Sequence, residues 1–467
     1  MVGCPPRALL RAFLVAALAA PAAPARVALV ALWLGDGTMP RYAATTCASL
    51  ARPGGAAATL VLVVDDADRA GVPASCRGVD HVQIWELGAG GVARGLAAGA
   101  ARGLRLAGDA RAAVEALVVK TLAAKPRVVI ELKPLWLYAW RDELRAAGFD
   151  RASYADLDVV FGDLRPWVAA GDGYDVATWA FATKEDPVRL FARGQLMLLD
   201  LASDAAALRW LRCAHLSTHL AANLRLKLEG GSAAPAARNF EPLGGPGCPT
   251  VLPARPGDRY VSAEACYSCA FFSAVAGDEA AAFSARFAGL AGSAGFAVAE
   301  ARALLAPLSV LTLPAVFSDH SLDRVWWADG RVVRCARLRG GACAARVAAY
   351  AASAPRAAPA LGPPGAPEPV ERPCGRGMEW LNESCPRSSA CAAAPVGAAA
   401  AAAALDGGGA LAFRPLAPPG DDAVVEAAMF HFRIWSDRRD GLFQGSTRER
   451  HSRLQRLISR PFPTRFG

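Results

Sequence analysis

The segment YADLDVVFGDL, from Tyr154 to Leu164, places two aspartates one residue apart beside an apolar run. Asp156 and Asp158 flank Leu157, and on extended backbone the side chains at positions i and i+2 point to the same side. Two carboxylates on one side offer the oxygen ligands that a hard divalent cation prefers. Acids at strand ends are also often only solvated, or they cap the next helix. The spacing therefore predicts a metal site, and the evidence for it must come from the surrounding sequence.

The elements before these acids predict a parallel sheet with crossover helices. Two continuous apolar runs, Ala25–Leu34 and Thr59–Asp66, predict buried strands, and Tyr42–Leu50 suits a helix between them. A third strand is predicted at Val79–Leu87. Lys133–Phe149 predicts a helix that leads into a fourth strand, which carries the acids. In open α/β sheets ligands bind beyond the carboxyl ends of the strands. The two acids are therefore expected at a ligand-binding edge.

The composition indicates a globular protein without a general nucleic-acid surface. At 467 residues and 54% hydrophobic, the chain can bury one large core or two ordinary ones. The segment from Phe432 to Gly467 holds nine arginines against three acids and so contributes +6 of the net charge of +9. The rest of the chain lacks the alternation of basic and aromatic residues typical of nucleic-acid binders. We interpret the basic tail, 441–467, as a solvated segment, with an acidic membrane or polymer as the alternative partner.

The N-terminus has the pattern of a secretory signal. Arg7 and Arg11 precede the apolar run Ala12–Ala20, and the PAAPA segment after it offers a small-x-small cleavage site. This run is shorter than the roughly 20 apolar residues that a membrane-spanning helix needs. Residues 1–25 are therefore predicted to be a signal peptide, or a signal anchor that tethers the protein to a membrane.

The cysteines favour the same secretory pathway, with the protein in the Golgi or ER lumen or secreted. The chain has twelve cysteines, which fits a compartment that permits disulfides. A zinc site at Cys266 and Cys269 would need a second close Cys/His pair, and the sequence offers none with ligand-like spacing. Cys335 and Cys343 also lie close in sequence, and Asn382 begins a glycosylation sequon.

The later part of the chain changes composition. A hairpin is predicted around Asp329-Gly330. Residues 353–420 turn rich in Pro, Ala and Gly and are predicted to be a low-complexity insertion with a cysteine-bearing island. The segment MFHFRIW, Met429–Trp435, alternates as a strand does. We therefore predict one domain, 26–352, that is interrupted by the insertion and completed by a strand within 421–440.

Several segments together carry a resemblance to a known family. They are VALVALWL, VLVVDD, Lys133-Pro134, Asp156–Trp167, Tyr174–Val176, Arg193–Leu199, Ser262–Ser268 and Met429–Trp435. On these segments the chain resembles a family of glycosyltransferase-like proteins of unknown function, which is related to nucleotide-sugar transferases with a GT-A fold. The resemblance covers most of Arg26–Ser273 and the block around His431.

The resemblance implies an α/β fold of the GT-A, Rossmann-like type, with a mixed, mostly parallel sheet flanked by helices. It also implies a metal-dependent glycosyltransferase, in which Mn²⁺ or Mg²⁺ stabilises the diphosphate that leaves a nucleotide-sugar donor. Asp158 is then the first-choice metal ligand, and Asp156 binds the metal or the ribose. His431 is expected to complete the metal shell. The acceptor, whether glycan, protein or lipid, is not identified.

Other residues are candidates with a structural alternative. Asp65 or Asp66 would contact the nucleoside, or would cap a strand end. Lys133 and Arg193 would neutralise phosphate, or would be solvated.

The acceptor base is Glu264, with Asp319 as the second candidate, although either acid could be structural.

Two other functions remain as alternatives. A haloacid-dehalogenase-like phosphohydrolase also places Asp-x-Asp after a strand, but that motif normally opens its domain, and here three strands precede it. A non-catalytic lumenal protein that binds nucleotide or sugar would use the same fold.

Overall fold

The computed structural model describes residues 26–35, 39–40, 43–51, 57–181, 196–229, 267, 279–318, 325–328, 331–335, 340–353, 411–413, 424–427, 429–431 and 464–465. The predicted signal, 1–25, and the sequon at Asn382 lie outside these ranges. Within them, no helix is both long enough and apolar enough to cross a bilayer.

A mixed sheet of ten strands lies at the centre of the molecule, in the order β3-β2-β1-β4-β7-β6-β8-β13-β5, with β11 also paired to β8. Its strands are β1 (Val27–Trp33), β2 (Ala58–Asp65), β3 (Val82–Leu87), β4 (Arg151–Ala155), β5 (Val159–Phe161), β6 (Val176–Phe181), β7 (Leu196–Asp200), β8 (Val310–Ser318), β11 (Leu411–Phe413) and β13 (Met429–His431). Strands β3, β2, β1 and β4 are parallel to one another, and so are β6, β8, β11 and β13. Only β7 and β5 run against their neighbours in this sheet. The predicted mixed, mostly parallel α/β sheet is therefore confirmed.

Helices flank the sheet. They are α1 (Ala43–Leu50), α2 (Gly91–Gly103), α3 (Gly108–Ala124), α4 (Lys133–Ala139), α5 (Arg141–Ala146), α6 (Arg165–Ala170), α7 (Asp204–Ala207), α8 (Leu220–Glu229), α9 (Glu279–Ala288), α10 (Val298–Leu304) and α11 (Gly340–Ser353). Short 3₁₀ helices link several of them, including Asp66–Gly71 and Ala74–Cys76.

The continuous apolar runs arise because the sheet is covered on both faces. Successive side chains of a strand point to opposite faces, and β1 divides accordingly between two core clusters. Ala28, Val30 and Leu32 pack with α2 and α4 in one cluster. The odd-numbered residues of β1 pack on the other face, in the cluster that also holds α1 and the apolar residues that follow Asp156. Leu157, between the candidate acids, therefore lies on the face that α1 covers.

Two local predictions were wrong. The single helix predicted over Lys133–Phe149 is divided at Trp140, between α4 and α5. The predicted fourth strand is also broken: β4 ends at Ala155, the chain bends at residues 157 and 158, and β5 begins at Val159. The acids therefore lie on a connection between two strands that occupy separate places in the sheet.

The late part of the chain forms a second sheet and also returns to the first. A four-stranded sheet has the order β12-β10-β9-β14, with β9 (Val325–Ala328), β10 (Arg331–Cys335), β12 (Val424–Ala427) and β14 (Thr464–Arg465). Ala328 pairs with Arg331, which confirms the predicted hairpin. Ala428 alone separates β12 from β13, so the chain passes directly from the small sheet into the main one.

The predicted low-complexity insertion is not structureless throughout. Within 353–420, the apolar triplet Leu411–Phe413 pairs in parallel with β8 and adds a strand to the main sheet.

Disulfides are present, as the cysteine content predicted. Cys335 and Cys343, which are close in sequence, are bonded, and so are Cys47 and Cys76, which are 29 residues apart. Cys213 is disulfide-bonded as well.

Candidate functional site

The carboxyl edge of the parallel strands brings several of the predicted residues to one side of the sheet. Asp65 is the last residue of β2, and Asp156 follows the last residue of β4. Strands β2, β1 and β4 are adjacent and parallel, so these two acids share that edge. The candidate site is therefore where a doubly wound sheet places its ligands.

Burial alternates along the connection between β4 and β5. Asp156 and Asp158 are half-buried, whereas Leu157 between them is 8% exposed and packs in the core cluster of α1. Despite the bend, this alternation is what two carboxylates on the accessible side would produce. The two acids thus remain a pair of oxygen donors at the sheet edge.

Lys133 is a direct partner of one of these acids. It is the first residue of α4, with Pro134 next, and only 5% of its surface is exposed. Its Nζ forms a salt bridge with Oδ1 of Asp156, and it lies 5.9 Å from the ring centroid of Trp136. The alternative of a solvated lysine is therefore wrong. A buried lysine therefore compensates the charge of Asp156.

The backbone of His431 lies beside the acids. In the antiparallel pair of β13 and β5, His431 is opposite Val159, the residue after Asp158. On its other side His431 is opposite Ser318, the last residue of β8. Paired strands lie about 4.8 Å apart, so two segments distant in sequence meet at this edge. Where the imidazole points lies outside what the structure describes.

Asp65 caps a helix. Its Oδ1 accepts a hydrogen bond from the backbone N–H of Val92, at 2.8 Å, in the first turn of α2. Gly91 allows this approach, because a Cβ there would lie 2.5 Å from Cβ of Leu87. Burial raises the pKa of Asp65 above its ordinary value. Asp65 thus caps α2, and its contact with a nucleoside stays a prediction. Asp66, the first residue of the next 3₁₀ helix, is exposed.

Two hydroxyl residues of α1 contact the connection, and neither was predicted. The Oγ1 of Thr46 lies 2.5 Å from the carbonyl oxygen of Leu157 and 2.8 Å from that of Val159. The Oγ of Ser49 accepts from the backbone N–H of Phe161 at 3.1 Å. Small polar residues three apart in an otherwise buried helix are a signal that could have identified them, because buried hydroxyls need partners.

Three predicted residues, Arg193, Glu264 and Asp319, lie outside the described residues. Among the described residues, no group of three or more His, Cys, Asp or Glu side chains is arranged to hold a metal ion. The described donors at the candidate site are therefore the two aspartates.

A separate cleft of about 390 Å³ contains none of the predicted residues. Its lining residues come from α2, α4, α5, α7 and α10 and the segment after α7: Arg102, Tyr138, Arg141, Asp142, Asp204, Leu208, Glu300, Ala303 and Leu304. Arg141 donates to the carbonyl of Leu201 and pairs with Asp204. Both partners follow β7, which runs against β4, so the cleft lies towards the opposite edge of the sheet.

No protein-family model matches this chain, and a comparison with curated proteins found no match either. The functional argument therefore depends on the site itself.

Proposed function

We propose that this protein is a metal-dependent glycosyltransferase of the GT-A type, which moves a sugar from a nucleotide-diphosphate donor to an acceptor in the secretory pathway. The observation that carries the proposal is the position of Asp156 and Asp158. They are half-buried at the carboxyl edge of a mostly parallel sheet, with the strand of His431 paired one residue away. The disulfides support an oxidising compartment.

The donor set fits a divalent cation that arrives with a diphosphate. Mg²⁺ in nucleotide sites is usually held by one or two carboxylates together with substrate phosphates, and it rarely has a complete protein cage. Asp158, assisted by the second oxygen of Asp156, meets this requirement for Mg²⁺ or Mn²⁺. When bound, the metal would stabilise the negative charge that develops on the departing diphosphate.

Lys133 has a defined role in this proposal. Its ammonium group neutralises Asp156 while the site holds no cation, which lowers the cost of keeping a carboxylate half-buried. A diphosphate bound at the metal site would lie beside Asp156, and the ammonium group of Lys133 at that position would attract its phosphate oxygens. Lys133 would therefore balance charge both before and during donor binding.

Calorimetric titration of the full-length protein with Mn²⁺ and with uridine or guanosine diphosphate tests the proposal. We expect nucleotide binding that depends on Mn²⁺, and we expect Asp158→Asn to abolish it with an almost unchanged melting temperature, because this acid is outside the core. Asp142→Asn, an exposed acid in the other cleft, is the matched control and should bind as the wild type does.

Unaltered nucleotide affinity in Asp158→Asn would contradict the proposal. Tight nucleotide binding without sugar transfer would instead favour the non-catalytic binding protein. Hydrolysis of a phosphate monoester, lost in Asp156→Asn, would favour the phosphohydrolase.

A further inference from the structure

Helix α1 packs directly against the connection that carries the acids. Leu157, Val159 and Phe161 lie in the same buried cluster as Cys47 and the other apolar residues of α1. Thr46 and Ser49 are 0% and 1% exposed. Their hydroxyl groups therefore meet the connection in the interior, where water does not compete for hydrogen bonds.

The contacts of Thr46 fix the peptide groups on both sides of Asp158. The carbonyls of Leu157 and Val159 precede and follow Asp158 along the chain, and one hydroxyl lies between them. A hydroxyl has a single proton, so both carbonyls converge on the same donor. The two contacts hold the backbone in its bent conformation. They therefore set the orientation of the Asp158 side chain relative to the backbone.

Ser49 extends the same arrangement by one residue pair. Its Oγ accepts from the N–H of Phe161 and donates to the carbonyl of Thr46, at 3.1 and 2.6 Å. Strand β5 is the last in the sheet and pairs with β13. The two hydroxyl groups of α1 contact backbone groups of β5 as a second neighbouring strand would. Side chains of α1 thus take the place of a second neighbouring strand.

A disulfide holds α1 in this position. Cys47, next to Thr46, is bonded to Cys76 in the second 3₁₀ helix after β2, Ala74–Cys76. Both cysteines are 0% exposed, and Sγ of Cys76 lies 3.6 Å from the carbonyl oxygen of Ala43. Because the bond is fully buried, we regard it as a permanent anchor of α1.

We propose that Thr46 and Ser49 are positioning residues for the metal site, and that α1 sets the geometry of Asp158 through them. In this respect the inference rests on the proposed function, because the ligand is the divalent cation. Groups behind the direct ligands of a metal typically change its affinity 10–100-fold when they are removed. Neither residue needs to touch the metal or the substrate.

Three variants of the full-length protein test this role, with Mn²⁺ alone as the probe. Thr46→Val keeps the shape of the side chain and removes the hydroxyl, and it should weaken Mn²⁺ binding about 10-fold. Thr46→Ser keeps the hydroxyl and should restore the affinity to within about threefold. Thr121→Val is the control: its hydroxyl is equally buried and donates to the carbonyl of Leu117, in α3 on the other face of the sheet.

Hydrogen exchange of the peptide that spans Asp156–Asp163 gives a second readout that does not depend on the metal. Exchange of its amides should speed up in Thr46→Val and Ser49→Ala and should be unchanged in Thr121→Val. If the wild type does not bind Mn²⁺, the proposed function fails, and exchange alone then decides the role of Thr46. Wild-type exchange in Thr46→Val overturns the inference, and so does an equal loss of Mn²⁺ affinity in Thr46→Val and Thr46→Ser.

Discussion

The salt bridge between Lys133 and Asp156 allows a quantitative test of how charge is balanced in the candidate site. Replacing Lys133 with Met keeps a long apolar stem but removes the cation. The side chains of Lys133 and Asp156 are 6% and 20% exposed. Breaking a fully buried ion pair costs about 3–5 kcal/mol, and partial exposure of Asp156 reduces this to about 2–3 kcal/mol. We therefore expect Lys133→Met to lose about 2–3 kcal/mol of unfolding free energy in the presence of a chelator.

The double variant Lys133→Met/Asp156→Asn isolates the charge effect. It removes the Asp156 carboxylate that Lys133→Met deprives of its ammonium partner, so its stability should recover to within about 1 kcal/mol of the wild type. Urea unfolding followed by tryptophan fluorescence measures all four proteins of the cycle.

Mn²⁺ should act differently on the two variants. In Lys133→Met the metal takes the place of the lost ammonium beside Asp156, so an excess of 100 times the dissociation constant should return about 2.7 kcal/mol. The double variant has lost one carboxylate and should respond less. The reasoning is refuted if the two single substitutions are simply additive in the double variant, because the pair would then contribute no coupling energy.

Other predictions concern the stability of the fold. Glu279→Ala should cost about 3–5 kcal/mol in urea unfolding, because Arg212, which pairs with Glu279 at 2.8 Å with side chains 4% and 3% exposed, would lose this carboxylate partner in the interior. Glu279→Leu with Arg212→Met should recover most of the loss, and no recovery would contradict this. Burial lowers the pKa of His215 from 6.5 to about 4, so the folded state binds fewer protons than the unfolded state between these values. Stability should therefore fall by up to about 3 kcal/mol as the pH drops from 6.5 to 4, and His215→Gln should flatten this part of the pH profile; an unchanged slope would count against it. Gly103→Ala should cost about 1–3 kcal/mol, because a Cβ there would lie 2.4 Å from the Trp210 ring; a melting temperature equal to that of the wild type would show that the ring can move.

Much of the sheet could be predicted from the sequence. The apolar runs that became β1 and β2 are long and branched, and burial on both faces leaves such runs few alternatives. Asp329-Gly330 marked the hairpin of β9 and β10 because few residue pairs suit so tight a turn.

The parts that could not be predicted depend on contacts between distant residues. The end of β4 at Ala155 could not be predicted from the local sequence. The bend after it is stabilised by Thr46, more than a hundred residues earlier. Lys133 has the sequence context of a solvated helix start, and only the packing of α4 beside β4 buries it. Periodicity describes a single element, whereas these features arise where two elements meet.

The candidate site was anticipated in its acids and only partly in its surroundings. Asp156 and Asp158 were identified by type and spacing, and the late block of His431 was expected near them, where β13 indeed lies. The metal, the donor and the roles of Arg193, Glu264 and Asp319 remain predictions.

The pairing of β5 with β13 has a consequence for how the protein is made. Val159–Phe161 leave the ribosome about 270 residues before Met429–His431, their partners, and at roughly 5–20 residues per second this delay is about 15–55 s. During that interval the edge of β5 that later pairs with β13 lacks this partner strand. Unpaired strand edges can associate with other chains. Truncation before Met429 would make this exposure permanent. The candidate site is thus completed only after Met429–His431 have been synthesised, long after the acids themselves.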